Sequence, residues 1–327
     1  MDNRITRRRL YNFLSYEWIV MIVVAVACIL AWNLIFTMTS VKLTVGQDFK
    51  FFYDETIDSN TSGNIYTLFE KQDDPERTVF SYDLLKIGHE TLQEQYNVLK
   101  ERMSVQEGDI IITDATEPAD DAENKDVRAK TIIDTYPTYD FISLKEDAEE
   151  YLAQFLKDGL TEDADVTDFN NLDGSKIEEV FRERMRKDNR YRSEGQKQEG
   201  IALEKERIED LCKEVKRFRH LLNQGDEYFF MYKRYDQIIT EENKETLNAD
   251  EYRKKGVRPY GLKVEALSGG EGKDSPSKYF KKIGADDAKD VVILVFDLKK
   301  YQPHLQFEAI AFINAVVSGC SNLYDVI

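Results

Sequence analysis

The sequence predicts an α/β protein behind one N-terminal transmembrane helix, with a helical block inside the α/β domain. Three observations predict it. Residues 18–41 carry no charge, and arginines precede them. Two short runs, Asp109–Thr113 (D-I-I-I-T) and Asp290–Phe296 (D-V-V-I-L-V-F), hold unbroken apolar stretches at Ile110–Ile112 and Val291–Phe296, as strands covered on both faces do. Elsewhere apolar residues recur at helical spacing. Buried-type strands separated by helices imply a sheet that is at least partly parallel.

Trp18 to Met38 reads W-I-V-M-I-V-V-A-V-A-C-I-L-A-W-N-L-I-F-T-M, with Asn33 its only strongly polar side chain. A helix of that length spans about 30 Å, the thickness of a hydrocarbon core, and satisfies its own backbone in lipid. Arg4, Arg7, Arg8 and Arg9 in the short flank are expected to stay cytoplasmic. Residues 41–327 then lie outside the cell membrane, with residues 1–17 as the cytoplasmic flank. Trp18 and Trp32 suit interfacial or near-interfacial positions, although Trp32 lies deep for a belt residue. Ala25-Val26-Ala27 fits a signal-peptidase A-x-A site, but cleavage there leaves Ile29–Met38 still apolar. Cys28 loosely fits a lipoprotein box, although Ala25 stands where leucine is usual and the chain continues apolar. The uncleaved anchor is the reading carried forward.

The remainder is charged and acidic: 33% of the chain is Asp, Glu, Lys or Arg, and the net charge is −17. That disfavours nucleic acid, because nothing forms a basic stripe able to neutralise phosphates, and equally disfavours lying flat on anionic lipid. The length suffices for one two-lobed domain or two smaller ones. Cys212 and Cys320 lack metal-type neighbours and are expected as free, buried thiols, one disulfide between them being the alternative. His89, His220 and His304 fall at no ligand spacing and read as surface or capping residues.

Along the chain, Val41–Tyr53 reads as a strand pair or one bent strand, and Asp58–Gly63 as a loop. Ser81–Met103 reads as helix from Leu84, Leu85, Ile87, Leu92, Tyr96, Leu99 and Met103, stopped by Gly108. Glu117–Lys130 is loop-like and Tyr139–Ile142 a short extended piece. Ser143, with Glu146 three residues on, reads as a capping box opening a helix to about Lys157, ended by Gly159. Ser175–Asn223 reads as a helical pair hinged between Gly195 and Gly200. Its second helix carries the seam Ile208, Leu211, Val215, Phe218 and Leu222, suited to the domain's own core or to a partner. Tyr228–Ile239 continues that helical character, completing a block over 175–239. Pro259–Val264 reads as turn then strand, Ser268–Lys273 as a flexible loop, and His304–Val317 as a final helix.

Motifs for chemistry are sparse. Ser268–Lys273 contains G-G-E-G-K but lacks the glycine spacing and the hydroxyl residue of a phosphate loop. The acidic stretch Asp163–Gly174 is the best calcium candidate, yet with Gly174 at position six, positions one and twelve fall on Phe169 and Val180. Neither nucleophile elbow nor recognisable triad is present, and adjacent acids such as Glu149-Glu150 usually mark solvated faces. No catalytic residue, metal or cofactor is expected.

The order of elements resembles a family of bacterial two-lobed solute-binding proteins that feed importers. The residues that carry the resemblance are Phe51-Phe52-Tyr53-Asp54 and Gly108–Asp114, followed by Asp140–Leu144, Pro259–Val264 and Asp290–Asp297. It is closest to membrane-anchored, shortened relatives. The resemblance implies a solute-binding-protein-like sheet with flanking helices. It also implies a cleft lined by a D-[VI]-[VI]-x-x-D strand and an importer or other membrane-protein partner. Both tryptophans belong to the anchor, so Tyr and Phe would have to stack a sugar, and block 175–239 leaves little sequence for a full second lobe. Strand carboxyl ends line such clefts; Tyr53, Asp54, Asp114 and Thr116 are therefore the expected contacts for a small-molecule ligand of unknown identity. The function expected is a single-pass, extracytoplasmic binding or accessory module linked to solute uptake. The alternatives are a protein–protein scaffold or sensor using the 175–239 helices, and an extracytoplasmic glycan or cell-wall hydrolase.

Overall fold

The computed structural model describes residues 11, 18–39, 48–69, 86–92, 97–105, 107–118, 127–160, 164–234, 256–268, 272–297 and 307–325. Two compact units are present, Met1–Lys42 and Leu43–Ile327. The first holds helix α1 (Trp18–Thr39), of which Trp18–Thr37 is long and apolar enough to cross a membrane, with none of that window buried by protein. The four arginines of the flank lie outside the described residues.

The second unit contains, in chain order, β1 (Asp48–Asp54), α2 (Ser62–Phe69), β2 (Lys86–Leu92), α3 (Asn97–Ser104), β3 (Ile110–Asp114), α4 (Arg128–Thr135), α5 (Phe141–Ala153), α6 (Gly174–Arg184), α7 (Glu194–Leu222), β4 (Phe229–Tyr232), β5 (Arg258–Lys263), β6 (Val291–Val295) and α8 (Glu308–Cys320). The strands form one six-stranded sheet in the order β2-β1-β3-β6-β5-β4. Its first three strands are parallel, and β6, β5 and β4 add antiparallel. The expected α/β class with a partly parallel sheet is therefore what the chain forms.

Strand alternation divides the core in two. Phe49, Phe51 and Tyr53 of β1, Ile110 and Ile112 of β3, and Val291, Ile293 and Val295 of β6 pack toward α2, α5, α7 and α8. The alternate residues Phe52, Ile111, Val292 and Leu294 pack toward α3 and α4, meeting Leu99, Ile132 and Ile133. Both faces are covered, which is why β3 and β6 read as unbroken apolar runs. The path reverses after β2 to place β3 on the other side of β1. Accordingly α2 and α3 lie on opposite faces, as crossovers of one hand require.

Several elements differ from the sequence reading. Residues 86–92, expected as helix, are strand β2, paired in parallel along the whole of β1. Gly88 is costly inside a helix, and β1's free edge offered the segment a ladder that local spacing does not reveal. Residues 81–85 and 93–96 lie outside the described residues, as do 40–47, 119–126, 235–255, 269–271 and 298–306. Ser62 opens α2 within the segment expected as a loop, and α4 begins inside the loop-like segment Glu117–Lys130, burying Ala129, Ile132 and Ile133. The cap of α5 is Asp140, not Ser143: its carboxylate accepts from the Ser143 backbone N–H at 2.9 Å and from its hydroxyl at 2.8 Å. That helix ends at Ala153, earlier than expected. Phe229–Tyr232 is strand, because Gly225 breaks α7's run and aromatic residues suit a pleated surface.

The hinge expected at Gly195–Gly200 is also displaced. Ser193 caps α7 in a box with Gln196, so both glycines lie inside a continuous 29-residue helix. Gly200 is buried because α6 crosses there: a Cβ on it would meet Tyr191 Cε1 at 2.5 Å and Phe181 Cζ at 2.6 Å. Gly200→Ala is expected to destabilise the domain by about 1–3 kcal/mol despite alanine's better helix propensity. A urea midpoint unchanged or raised would mean that the α6–α7 contact yields freely. The seam Ile208, Leu211, Val215 and Phe218 is buried in the domain's own core, with Leu222 packed at its margin.

Candidate functional site

With β1 between β2 and β3, the connection from β1 runs to one side and the next returns past β1 to the other, which opens a switch point between the carboxyl ends of β1 and β3. β1 ends in Asp54 and β3 in Asp114. Because β6 runs antiparallel to β3, its first residues return to the same edge, bringing Asp290 there. The loop after β1 pairs with the segment before β6: Ile57 bridges Lys282, and the Ile283 N–H donates to the Thr56 carbonyl at 2.9 Å.

Two polar groups straddle this edge. On the α4 side, Asp54 is 5% exposed and fully engaged. Its Oδ1 accepts from Arg128 Nη1 at 2.8 Å, from the Thr56 N–H at 3.1 Å and from the Thr56 hydroxyl at 3.2 Å. Its Oδ2 accepts from the buried Thr113 hydroxyl at 3.1 Å. Arg128, the first residue of α4, also holds Glu55 through Nη2. The guanidinium thus forks between adjacent carboxylates.

The second group centres on Thr116. Its hydroxyl is 2.5 Å from Asp114 Oδ1 and 3.3 Å from Asp290 Oδ2, and it accepts from Lys282 Nζ at 2.8 Å. One proton serves one carboxylate at a time. Lys282 lies 3.6 Å from both Asp114 and Asp290. Asp290 holds φ +59°, and its carbonyl accepts the Ala115 N–H at 2.8 Å.

Tyr53 stands apart from Asp54. It faces the other side of β1, edge-on to Phe51 and His89 with ring centroids 5.8 and 6.1 Å away. Among the described residues its buried hydroxyl has no hydrogen-bond partner, and burial, reinforced by Tyr66, pushes its pKa far above the ordinary phenol value. Of the four expected contacts, Asp114 and Thr116 meet directly, Asp54 lies beside them through Thr113, and Tyr53 is a core residue of the opposite face from Asp54. Arg128, Thr113, Lys282 and Asp290 were not anticipated. Asp290 had a signal in its place before an apolar strand; the two cations had none.

No family model, curated protein or solved structure matches the chain. The site therefore stands on its own geometry.

The other candidate groups have structural employment. In the acidic stretch, Asp165 takes Arg219 at 2.7 Å, Asp168 caps the turn at 169–171 and Asp173 caps α6; Asp163 lies outside the described residues. Among the described residues no His, Cys, Asp or Glu group could hold a metal ion. Cys212 and Cys320 are free and buried, and burial pushes both thiols up to about 12, so neither is a thiolate at neutral pH. His89 pairs with the Tyr66 hydroxyl and His220 with Gln224, while His304 lies outside the described residues. Lys273 of the glycine loop bonds the Ser318 carbonyl and Asp325, tying down the end of α8.

Proposed function

We propose that the chain is a single-pass membrane protein whose Leu43–Ile327 unit captures a small polar solute at the carboxyl edge of β1 and β3, as a shortened relative of solute-binding proteins. One observation supports this reading: at the switch point between the carboxyl ends of β1 and β3 lie two charged groups, Asp54 with Arg128 and, beside it, Asp114 and Asp290 with Thr116 and Lys282. Open α/β sheets bind ligands there. Carboxylates, cations and a hydroxyl together suit a zwitterionic or hydroxyl-rich molecule. The apolar span Trp18–Thr37 and its arginine flank support anchoring with the domain outside the membrane. The α7 seam is consumed by the core, so it lends no support to the scaffold reading.

A thermal-shift screen of residues 43–327 against sugars, oligosaccharides, amino acids, peptides and divalent ions tests this. One class is expected to raise Tm by several degrees through linkage to the folded state. Asp114→Asn is expected to weaken that ligand about 10–100-fold by removing a charge-assisted hydrogen bond. Asp158→Asn, on a side chain 92% exposed, serves as the silent control. A flat screen on folded protein would sink small-solute capture and turn attention to a protein partner.

A further inference from the structure

We propose that α1 pairs in the membrane with α1 of a second copy of this chain, through the face that carries Asn33; the proposal rests on the anchor reading above. Thr37 turns its hydroxyl back to the helix, donating to the Asn33 carbonyl at 2.7 Å. The Asn33 side chain has no such outlet: among the described residues nothing hydrogen-bonds its amide. That amide offers two donors and an acceptor, and hydrocarbon contains no water to take them. Asn33 lies four residues before the end of the apolar span at Thr37, about 6 Å inside by helical rise, too deep for so short a side chain to reach the headgroups.

The residues on Asn33's face define the contact. Ile19, Ile22, Val26, Ile29 and Asn33 are separated by three, four, three and four residues, the seam of a left-handed helix pair, and all four apolar members are exposed. Each is β-branched and nearly fixed at χ1 in a helix, so packing them costs little side-chain entropy. An apolar helix offers similar spacing on its other faces; the amide singles out this one. A carboxamide is its own complement. A two-fold axis sets the N–H of one Asn33 against the carbonyl of the other, reciprocally, and an identical chain supplies that amide at the matching depth by construction. The competing small-residue face, Ala27, Cys28 and Ala31, points elsewhere: Cys28 sits about 140° around the helix from Asn33.

Disulfide scanning of the full chain in membranes separates the faces. The buried Cys212 and Cys320 are left unchanged, and an N-terminal tag and alkaline extraction report whether α1 is retained and embedded. Ile29→Cys in a Cys28→Ser background is expected to crosslink on oxidation, whereas the wild-type chain, with Cys28 facing away, does not. Adding Asn33→Leu, which only strengthens insertion, is expected to weaken the dimer roughly tenfold, and Asn33→Gln to restore it. Crosslinking through Cys28, undiminished dimer with Asn33→Leu, or monomer throughout would overturn the pairing. Loss of the tag or extraction of the chain would instead overturn the anchor reading, and the pairing with it.

Discussion

Gly108→Ala is expected to lower the unfolding free energy of the domain by about 3–5 kcal/mol, a large part of the stability of an ordinary domain. Gly108 precedes β3 with φ +109°, a conformation that L side chains rarely adopt. A Cβ there would also stand 2.0 Å from Cε2 of Phe52, a side chain with no exposure that packs edge-on to Phe296. Neither fault can be relieved by relaxing the other. The next residue fixes the register: the Asp109 N–H donates to the Lys50 carbonyl at 2.8 Å, its carboxylate accepts the Lys50 N–H at 2.7 Å, and its carbonyl accepts the Phe296 N–H at 2.8 Å. Gly159 supplies the comparison, having φ +88° with nothing within 4 Å of its missing Cβ. Gly159→Ala carries the conformational cost alone, about 1 kcal/mol. Urea unfolding of both variants decides the matter; equal losses would mean that Phe52 moves aside freely and that packing adds nothing to backbone strain.

The same turn sets the distance between the two halves of the candidate site, because it registers β3 against β1 and hence Asp114 against Asp54. Those two carboxylates were legible because each closes a run whose strand character is local: four of the five residues Phe49–Tyr53 are aromatic, and Ile110–Ile112 is apolar at every position, as a doubly covered strand must be. Arg128 and Lys282 were not legible. Arg128 reaches Asp54 across 74 positions because α4 packs on the sheet, and Lys282 reaches Thr116 across 166 because two loops pair. Nothing in their neighbourhoods of sequence announces either event. Strand β2 failed for a related reason. Its apolar residues are too few to show a strand's alternation, and only β1, an aromatic strand with an open edge, makes the segment a strand. The α7 seam was fully visible as a stripe, but whether a stripe faces a core or a partner depends on what folds over it; here α5 and α8 do. Asp290 becomes meaningful only once β6 is known to run against β3, since that direction brings the residue just before β6 to the carboxyl edge of β3.

Between pH 5 and pH 8 the wild-type domain is expected to lose roughly 2–3 kcal/mol more stability than Glu214→Gln. Glu214 lies on α7 with 6% exposure, under α8 and the C-terminal turn. Burial pushes its carboxyl up to about 7, against the lowering influence of Asn314 and Arg217 and with a further rise from Asp210 and Glu308. Asn314 Nδ2 donates to its Oε2 at 2.6 Å and to its carbonyl at 2.8 Å, while Asn314 Oδ1 accepts from the Tyr324 hydroxyl at 2.6 Å. The fold therefore holds the proton more tightly than the unfolded chain, whose glutamates titrate near 4.3. Stability from this group is complete below that value and is lost as pH rises through the window up to about 7. Glutamine keeps an acceptor for Asn314 and cannot ionise, so its curve lacks this slope. Asp165 and Asp188 are partly buried, but hydrogen bonds from Arg219 and Arg190 outweigh that and lower both pKa values. Their contributions fall away at more acid pH and are common to both proteins. Urea unfolding at the two pH values measures the difference directly. Equal slopes would mean that Arg217 and Asn314 outweigh burial and that Glu214 is already ionised in the folded domain at neutral pH, with the Asn314–Tyr324 contact resting on a charged anchor.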